Sequence, residues 1–271
     1  MYRKRFGLTG HPMPKDVQGK TFCDQDPGYQ KLCRAFERLC DEPGLGVLTA
    51  EAGVGKTAAI RNLCARLPKP DYLVVYLCDT AVSPLDLYRT LAEELGVRPS
   101  HRRAQLWLDI KKALVHMLDE RHSSPVVIVD EAQHLSDSFL VDLSGFLNFA
   151  FDSRDVLTMW LVGLPGLLRR LQMQQHAPLA MRVSALVHLD PWGEREAFAD
   201  LIRHGLEAMG ASGKILSDPG LELLYRASRG LPRVASKLLR ASLWLAHERD
   251  QGFVDEHVME TAIEEGLSLH S

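Results

Sequence analysis

The stretch that most limits the fold of this chain is AEAGVGKT, residues 50–57, which lies between an apolar run and a helical pattern. A loop that joins a buried strand to a helix presents unpaired backbone N–H groups, and the helix dipole favours negative charge there. Gly53 and Gly55 lack Cβ atoms, so the backbone can wrap around phosphate groups. The stretch therefore predicts a phosphate-binding loop within an α/β fold.

Individual positions of this loop have expected roles in binding ATP. Lys56 would reach the β- and γ-phosphates, and the Thr57 hydroxyl would bind Mg²⁺. Ala50 stands where the loop pattern has its first glycine, and alanine can replace it at about 1 kcal/mol or less if φ stays negative. The expected nucleotide-binding residues of the loop are Ala52, Gly53, Val54, Gly55, Lys56, Thr57 and Ala58.

Apolar runs alternate with helical patterns over the first two thirds of the chain. Near-continuous apolar runs are typical of strands buried on both faces, and their alternation with helices predicts a parallel sheet flanked by helices. From residue 192 onward only helical patterns follow, which predicts a small all-helical domain. The five predicted strands are 46–50, 72–78, 125–130, 157–164 and 184–189, and the expected division is an arm (1–30), a core (31–190) and a helical domain (191–271).

A second motif, VVIVDEAQ, places two carboxylates at the end of the third predicted strand. Ligands of open α/β sheets bind at the carboxyl ends of the strands. We expect Asp130 to contribute to nucleotide and Mg²⁺ binding and Glu131 to activate the water that attacks the γ-phosphate.

A third motif, GLPR at residues 230–233, opens a helix of the C-terminal domain. Proline fits the first turn of a helix, but the dipole does not favour an arginine at this end. Arg233 is therefore a candidate for contact with a phosphate outside its own helix.

Composition limits the remaining functional classes. The 271 residues carry a formal net charge of −3, so a nucleic-acid surface would have to be local. No run approaches the ~20 apolar residues of a membrane span, and the N-terminus lacks the apolar region of a secretory signal. The five cysteines form no CxxC pair, which favours a reduced, cytoplasmic protein.

Together the three motifs resemble the AAA+ ATPases, with AEAGVGKT similar to Walker A, VVIVDEAQ to Walker B and GLPR to the sensor 2 motif of the helical lid. FGLTGHPM, DEAQHL and LVGLPGL are similar to one branch, the ExeA/GspA-like ATPases and the related TniB, TnsC, MuB and IstB transposition regulators. The resemblance implies ATP and Mg²⁺ as cofactors and a homo-oligomer, either a ring or a helical filament. ExeA-type members carry a membrane span and further domains after the ATPase, and their absence here favours the transposition side.

Two features of the family bear on hydrolysis. Family members carry a polar sensor 1 residue after the fourth strand, where this chain has Leu164, so we expect slow ATP hydrolysis that DNA or a partner stimulates. Arginine fingers of the family act on the neighbouring subunit's ATP, and Arg182 best matches their position, with Arg169 and Arg170 in reserve.

The expected function is that of an ATP-dependent regulator that selects or activates target DNA for a transposase, with a target-selector protein as a further partner. Family loops before and after the second core helix contact DNA, here around Thr80 and at Arg98, Arg102 and Arg103. We expect sequence-nonspecific contact with the phosphates of double-stranded DNA. The alternatives are a secretion or envelope-assembly ATPase, a helicase loader, and a binding module that never hydrolyses ATP.

Overall fold

The computed structural model describes residues 2–17 and 19–268, which form five strands and twelve α-helices. The strands are β1 (Leu45–Ala50), β2 (Tyr72–Leu77), β3 (Ser124–Val129), β4 (Thr158–Gly163) and β5 (Val183–Leu189). The helices are α1 (Tyr2–Arg5), α2 (Pro27–Asp41), α3 (Lys56–Arg66), α4 (Pro84–Glu94), α5 (Arg103–Arg121), α6 (Asp137–Phe146), α7 (Gly166–Leu171), α8 (Ala177–Ala180), α9 (Arg195–Glu207), α10 (Asp218–Ser228), α11 (Pro232–Glu248) and α12 (Glu256–Ser268). Each predicted apolar run coincides with one strand to within one residue at either end, so the α/β prediction is confirmed.

The five strands form one parallel sheet in the order β2-β3-β4-β1-β5. β1 and β4 are buried along their whole length, as expected for central strands of a parallel sheet. In a parallel sheet all strands end at one edge, so Ala50, Val129 and Gly163 mark the same edge. The carboxylate pair Asp130-Glu131 directly follows β3 at this edge.

The chain divides into two compact units. The sheet unit comprises Gln30–Ala50 and Arg66–Leu189, and the loop unit comprises the described residues of Met1–Tyr29, Glu51–Ala65 and Asp190–Ser271.

Helices cover both faces of the sheet in the sheet unit. On one face, Met159 and Leu161 of β4 belong to a buried cluster with α4, α5 and α6. On the other face, Trp160 stacks on Phe36 of α2, with ring centroids 6.0 Å apart. The alternation along β4 thus places successive side chains in two different cores.

The core of the loop unit consists mainly of apolar side chains from α9, α10, α11 and α12. Tyr2, Phe6 and Leu8 are buried in the same cluster, and the Tyr2 ring meets the Trp244 ring edge-on at 6.2 Å. The sequence suggested an arm over the first 30 residues, whereas this segment supplies part of a core. The reason is that its aromatic and leucine side chains pack against the C-terminal helices.

Candidate nucleotide site

The loop between β1 and α3 has the backbone conformation that its glycines allow. Gly53 has φ +89° and Gly55 has φ +114°, both in the region that glycine adopts most readily. Ala50 is not among the described residues with positive φ, so the condition for an alanine at the first position is met. The first helical turn of α3 closes with the bond from the Ala59 N–H to the Gly55 carbonyl, at 2.9 Å.

The side chains of this loop differ in their exposure and contacts. Lys56 is only 7% exposed, and its Nζ donates to the Glu51 carbonyl at 3.1 Å. Thr57 is the second residue of α3, in the helix's first turn. Of the other predicted binding residues, Val54 is buried, Ala58 is half-buried and Ala52 is exposed. The loop therefore offers backbone N–H groups and a lysine in the arrangement that a phosphate requires.

The structure brings the GLPR motif to this loop within the loop unit. The Arg233 N–H donates to the Gly53 carbonyl at 3.1 Å. A Cβ at Gly53 would lie 3.1 Å from the Arg233 Cβ, so the glycine also permits this approach. Gly230, with φ +69°, would place a Cβ only 2.2 Å from the Trp192 carbonyl oxygen. Two glycines distant in sequence thus hold the start of α11 beside the phosphate-binding loop.

A buried asparagine ties α3 to the N-terminal segment. Asn62 is completely buried; its Oδ1 accepts from the Gly19 N–H at 2.8 Å, and its Nδ2 donates to the Tyr29 hydroxyl at 2.7 Å. Buried amides require such partners, because an unpaired polar group is costly in the core. Asn62 could not be identified from the sequence, since it looks like any polar residue of a helix.

In the sheet unit, Asp130 accepts hydrogen bonds from a residue of β2 and from the next residue in the chain. It is 2% exposed, and its Oδ2 accepts from the Tyr76 hydroxyl of β2 at 2.8 Å. Its Oδ1 accepts from the Glu131 N–H at 2.8 Å. Burial, and then the bond to Asp130, raises the pKa of Tyr76, so the phenol stays protonated and donates. Tyr76 was not identified from the sequence because it comes from a different strand.

Glu131 has an unusual backbone conformation for a non-glycine residue, with φ +52° and ψ 34°. Such a conformation costs about 1 kcal/mol or more and persists only where the surroundings enforce it. The Thr80 hydroxyl, from a residue that is 2% exposed, donates to the Glu131 carbonyl at 2.9 Å. Thr80 lies in one of the expected DNA loops, yet its side chain contacts the carboxylate segment.

Gln133 links the Glu131 side chain to the end of β4. Its Nε2 donates to Glu131 Oε2 at 2.6 Å, and its Oε1 accepts from the Leu164 N–H at 3.0 Å. The side chain of Leu164 offers no polar group, as the sequence indicated. A polar contact nevertheless joins this position to Glu131, through the main chain of Leu164.

Arg170 of α7 holds the segment that carries Gln133. Its guanidinium donates to the Gln133 and Leu135 carbonyls, each at 2.8 Å, and to Asp137. The Arg170 hydrogen bond, with a smaller contribution from His176, holds the pKa of Asp137 below its usual range. Arg170 is thus engaged within its own chain, and its reserve role as an arginine finger stays a prediction. The neighbouring Arg169 is exposed.

The expected arginine finger, Arg182, lies immediately before β5, at the edge of the sheet opposite to Asp130. It forms an ion pair with Asp152 at 2.6 Å. Its expected action on a neighbouring subunit stays a prediction.

The three predicted DNA-binding arginines differ in their surroundings. Arg98 and Arg102 are exposed, and no ion pair to either is found within residues 2–17 and 19–268. Arg103 pairs with Asp142 at 2.5 Å and lies over the Trp107 ring at 4.9 Å. Two of the three therefore present guanidinium groups to solvent.

Two negative findings apply to the described part of the chain. Its histidine, cysteine and acidic side chains form no group of three or more that could hold a metal ion. None of its helices combines the length and the apolar character that crossing a bilayer requires.

Comparison with known proteins finds a family model that is similar to the central part of the chain. The model described as "AAA domain" matches residues 37–171. General secretion pathway protein A of Aeromonas hydrophila is 29% identical over 251 residues, which are 92% of this chain and 45% of that protein. The chain thus spans less than half the length of this relative.

Two solved structures share the fold at low sequence identity. The Aeropyrum pernix ORC2 protein, solved as ADPNP-ADP complexes, superposes with a TM-score of 0.71 at 16% identity, covering 94% of this chain and 71% of that one. The Aeropyrum pernix ORC1 protein in complex with DNA superposes with a TM-score of 0.66 at 18% identity, covering 97% of this chain and 69% of that one. Placement in the TniB/TnsC-like branch stays a prediction. Residues 37–171 match the AAA domain model, and the described residues have an AAA+ P-loop fold, which supports an ATPase.

Proposed function

We propose that this protein is an AAA+ ATPase that binds and hydrolyses ATP with Mg²⁺ and assembles with further copies on duplex DNA while ATP is bound. The observation that carries the proposal is the bond between Arg233 and Gly53. It joins the start of a lid helix to the phosphate-binding loop, so a bound nucleotide can influence the lid.

The proposed ATP chemistry divides between the two units. In the loop unit, the N–H groups of residues 52–58 and Lys56 bind the phosphates, and Arg233 reaches the γ-phosphate. In the sheet unit, Glu131 accepts the proton of the attacking water. Mg²⁺, which neutralises charge on the phosphates, is assigned to Thr57 and Asp130 from the resemblance. Arg182 is proposed to act on the ATP of an adjacent subunit after it leaves Asp152.

The proposed DNA contact rests on exposed positive charge. Arg98 and Arg102 present guanidinium groups suited to phosphate oxygens. A few cations per subunit suffice when an oligomer repeats them along a duplex. The Aeropyrum pernix ORC1 protein, which shares this fold, is solved in complex with DNA. From the resemblance we also propose a transposase as a partner, with or without a target-selector protein, and from the cysteine pattern a cytoplasmic location.

A second candidate function is supported by the sequence relative. The 29% identity to General secretion pathway protein A favours an ATPase of secretion or envelope assembly. This candidate shares the ATP chemistry and differs in the partner, because it needs no DNA. A helicase-loader role shares the DNA contact and differs in the client protein.

Binding to a 60-bp fluorescent duplex, with electron microscopy of the product, distinguishes these functions. We expect DNA-bound rings or filaments with ATP or a slowly hydrolysed analogue, and none with ADP. Lys56→Ala should abolish them. The double variant Arg98→Ala/Arg102→Ala should weaken binding and lower the salt dependence by about two released counterions per subunit. The control Arg34→Ala/Arg121→Ala removes equal charge from exposed sites elsewhere and should bind normally.

The same measurements can contradict the proposal. If ATP yields no DNA-bound assembly at low salt while the protein hydrolyses ATP, the DNA part is wrong and the secretion-type candidate gains support. If both double variants weaken binding equally, the assignment of Arg98 and Arg102 is wrong.

A further inference from the structure

The structure assigns Gln133 as a positioning residue for Glu131, one that supplies the polar link to the end of β4 that the Leu164 side chain cannot provide. The inference rests on the proposed ATPase function. Gln133 makes three contacts in the sheet unit: one to the Glu131 carboxylate, one to the end of β4 and one that fixes its own backbone.

The first contact orients the carboxylate. Gln133 Nε2 donates to Glu131 Oε2 at 2.6 Å, which leaves Oε1 to accept a proton from water. A general base must be held within hydrogen-bond reach of the proton that it removes. A glutamate side chain has three rotatable bonds, so without such a partner the carboxylate would sample several directions.

The second contact anchors the amide to β4. The Gln133 Oε1 accepts from the Leu164 N–H at 3.0 Å, so the amide uses its donor toward Glu131 and its acceptor toward the sheet. Gly163 makes room for it, because a Cβ there would lie 2.7 Å from Gln133 Oε1. Apolar Leu164 is therefore compatible with a fixed Glu131, since only its backbone N–H is used.

The third contact fixes the backbone of Gln133. Arg170 donates to the Gln133 carbonyl at 2.8 Å, and the residue lies in the short 3₁₀ turn Ala132–His134. With main chain and amide both held, the geometry at Glu131 is set before a substrate binds. Such preorganisation is what a catalytic base requires.

Steady-state ATP turnover and equilibrium binding of a fluorescent ATP analogue test this role. Gln133→Ala should lower kcat by about tenfold to a hundredfold, the range expected for a misplaced catalytic group, with the nucleotide Kd unchanged within about twofold. Gln172→Ala removes an exposed glutamine at the end of α7 and should leave both values unchanged. An unchanged or increased kcat in Gln133→Ala would overturn the inference, and an increase would mean that Gln133 restrains Glu131.

The variant Glu131→Gln separates failure of this inference from failure of the proposed function. Loss of turnover in Glu131→Gln with normal turnover in Gln133→Ala would refute only the role of Gln133. If the unaltered protein shows no turnover that depends on Lys56, both proposals are wrong.

Discussion

The phosphate-binding loop and the carboxylate pair after β3 are both parts of the proposed ATP chemistry, but they are stabilised differently. The loop obtains its shape from contiguous residues, because Gly53 and Gly55 take positive φ and α3 begins at Lys56. The carboxylates obtain theirs from residues distant in sequence, among them Tyr76 and Thr80. A loop of this kind can be identified in a sequence, whereas the surroundings of a carboxylate depend on which strands are neighbours.

The difference also concerns what each region does. The loop has to bind the substrate, and backbone N–H groups can do so with little help from side chains. The carboxylate has to point in one direction, and Glu131 therefore depends on Gln133 and on a strained backbone. Substitutions in the two regions should have separable consequences.

The largest expected effect comes from Lys56→Ala compared with Glu131→Gln. Lys56→Ala should weaken ATP binding by at least about tenfold, because a charge-assisted contact with the phosphates is lost. Glu131→Gln should keep ATP affinity within about twofold and lower turnover by about 10²- to 10⁴-fold, because the amide cannot accept the proton. Fluorescence titration and phosphate-release assays measure the two quantities. Equal loss of affinity in both variants would mean that the two regions do not have separate roles.

A second comparison tests the contact between GLPR and the loop. Gly230→Ala should lower the free energy of unfolding by about 2–4 kcal/mol, because its Cβ would lie 2.2 Å from a carbonyl oxygen and φ is +69°. Gly252→Ala, where no atom lies within 4 Å of the new Cβ, should change stability by about 0.5 kcal/mol or less. Urea unfolding followed by circular dichroism measures both. If Gly230→Ala left the free energy of unfolding unchanged, the close contact between Gly230 and Trp192 would not be needed to position the start of α11.

The smallest effect is expected at Arg170, with Arg169 as the matched control. Arg170→Ala should destabilise the protein by about 1–3 kcal/mol, because the Gln133 and Leu135 carbonyls lose a donor, whereas exposed Arg169→Ala should be nearly neutral. The pKa of Asp137 is lowered in the folded state, so its ion pair stabilises above the ordinary aspartate pKa of about 4 and is lost as pH falls below it.

Denaturant unfolding of the unaltered protein and of Arg170→Ala between pH 7 and pH 3 measures this dependence. The stability difference should shrink on acidification without vanishing, because the bonds to the two carbonyls do not titrate. A difference that is independent of pH would show that Asp137 adds nothing to the role of Arg170.

Much of the fold could be predicted because its signals are local. Each strand is an apolar run, and the phosphate-binding loop is marked by its glycines, lysine and threonine. The tolerance of Ala50 could also be predicted, since it needs only a negative φ. That segment 2–17 belongs to a core was harder to predict, because its few apolar residues are spaced without a clear period. Their partners lie in the C-terminal helices, which are distant in sequence.

The sequence by itself determined the α/β class, the phosphate-binding loop and the position of the two carboxylates at a strand end, because each depends on residues close together in the chain. Only the tertiary structure decided that Arg233 meets Gly53, that Tyr76 and Thr80 contact the carboxylate segment, and that Gln133 joins Glu131 to β4. These contacts depend on the strand order and on the packing of α11. Neither follows from periodicity, because periodicity tells which face of an element is buried but not which element covers it.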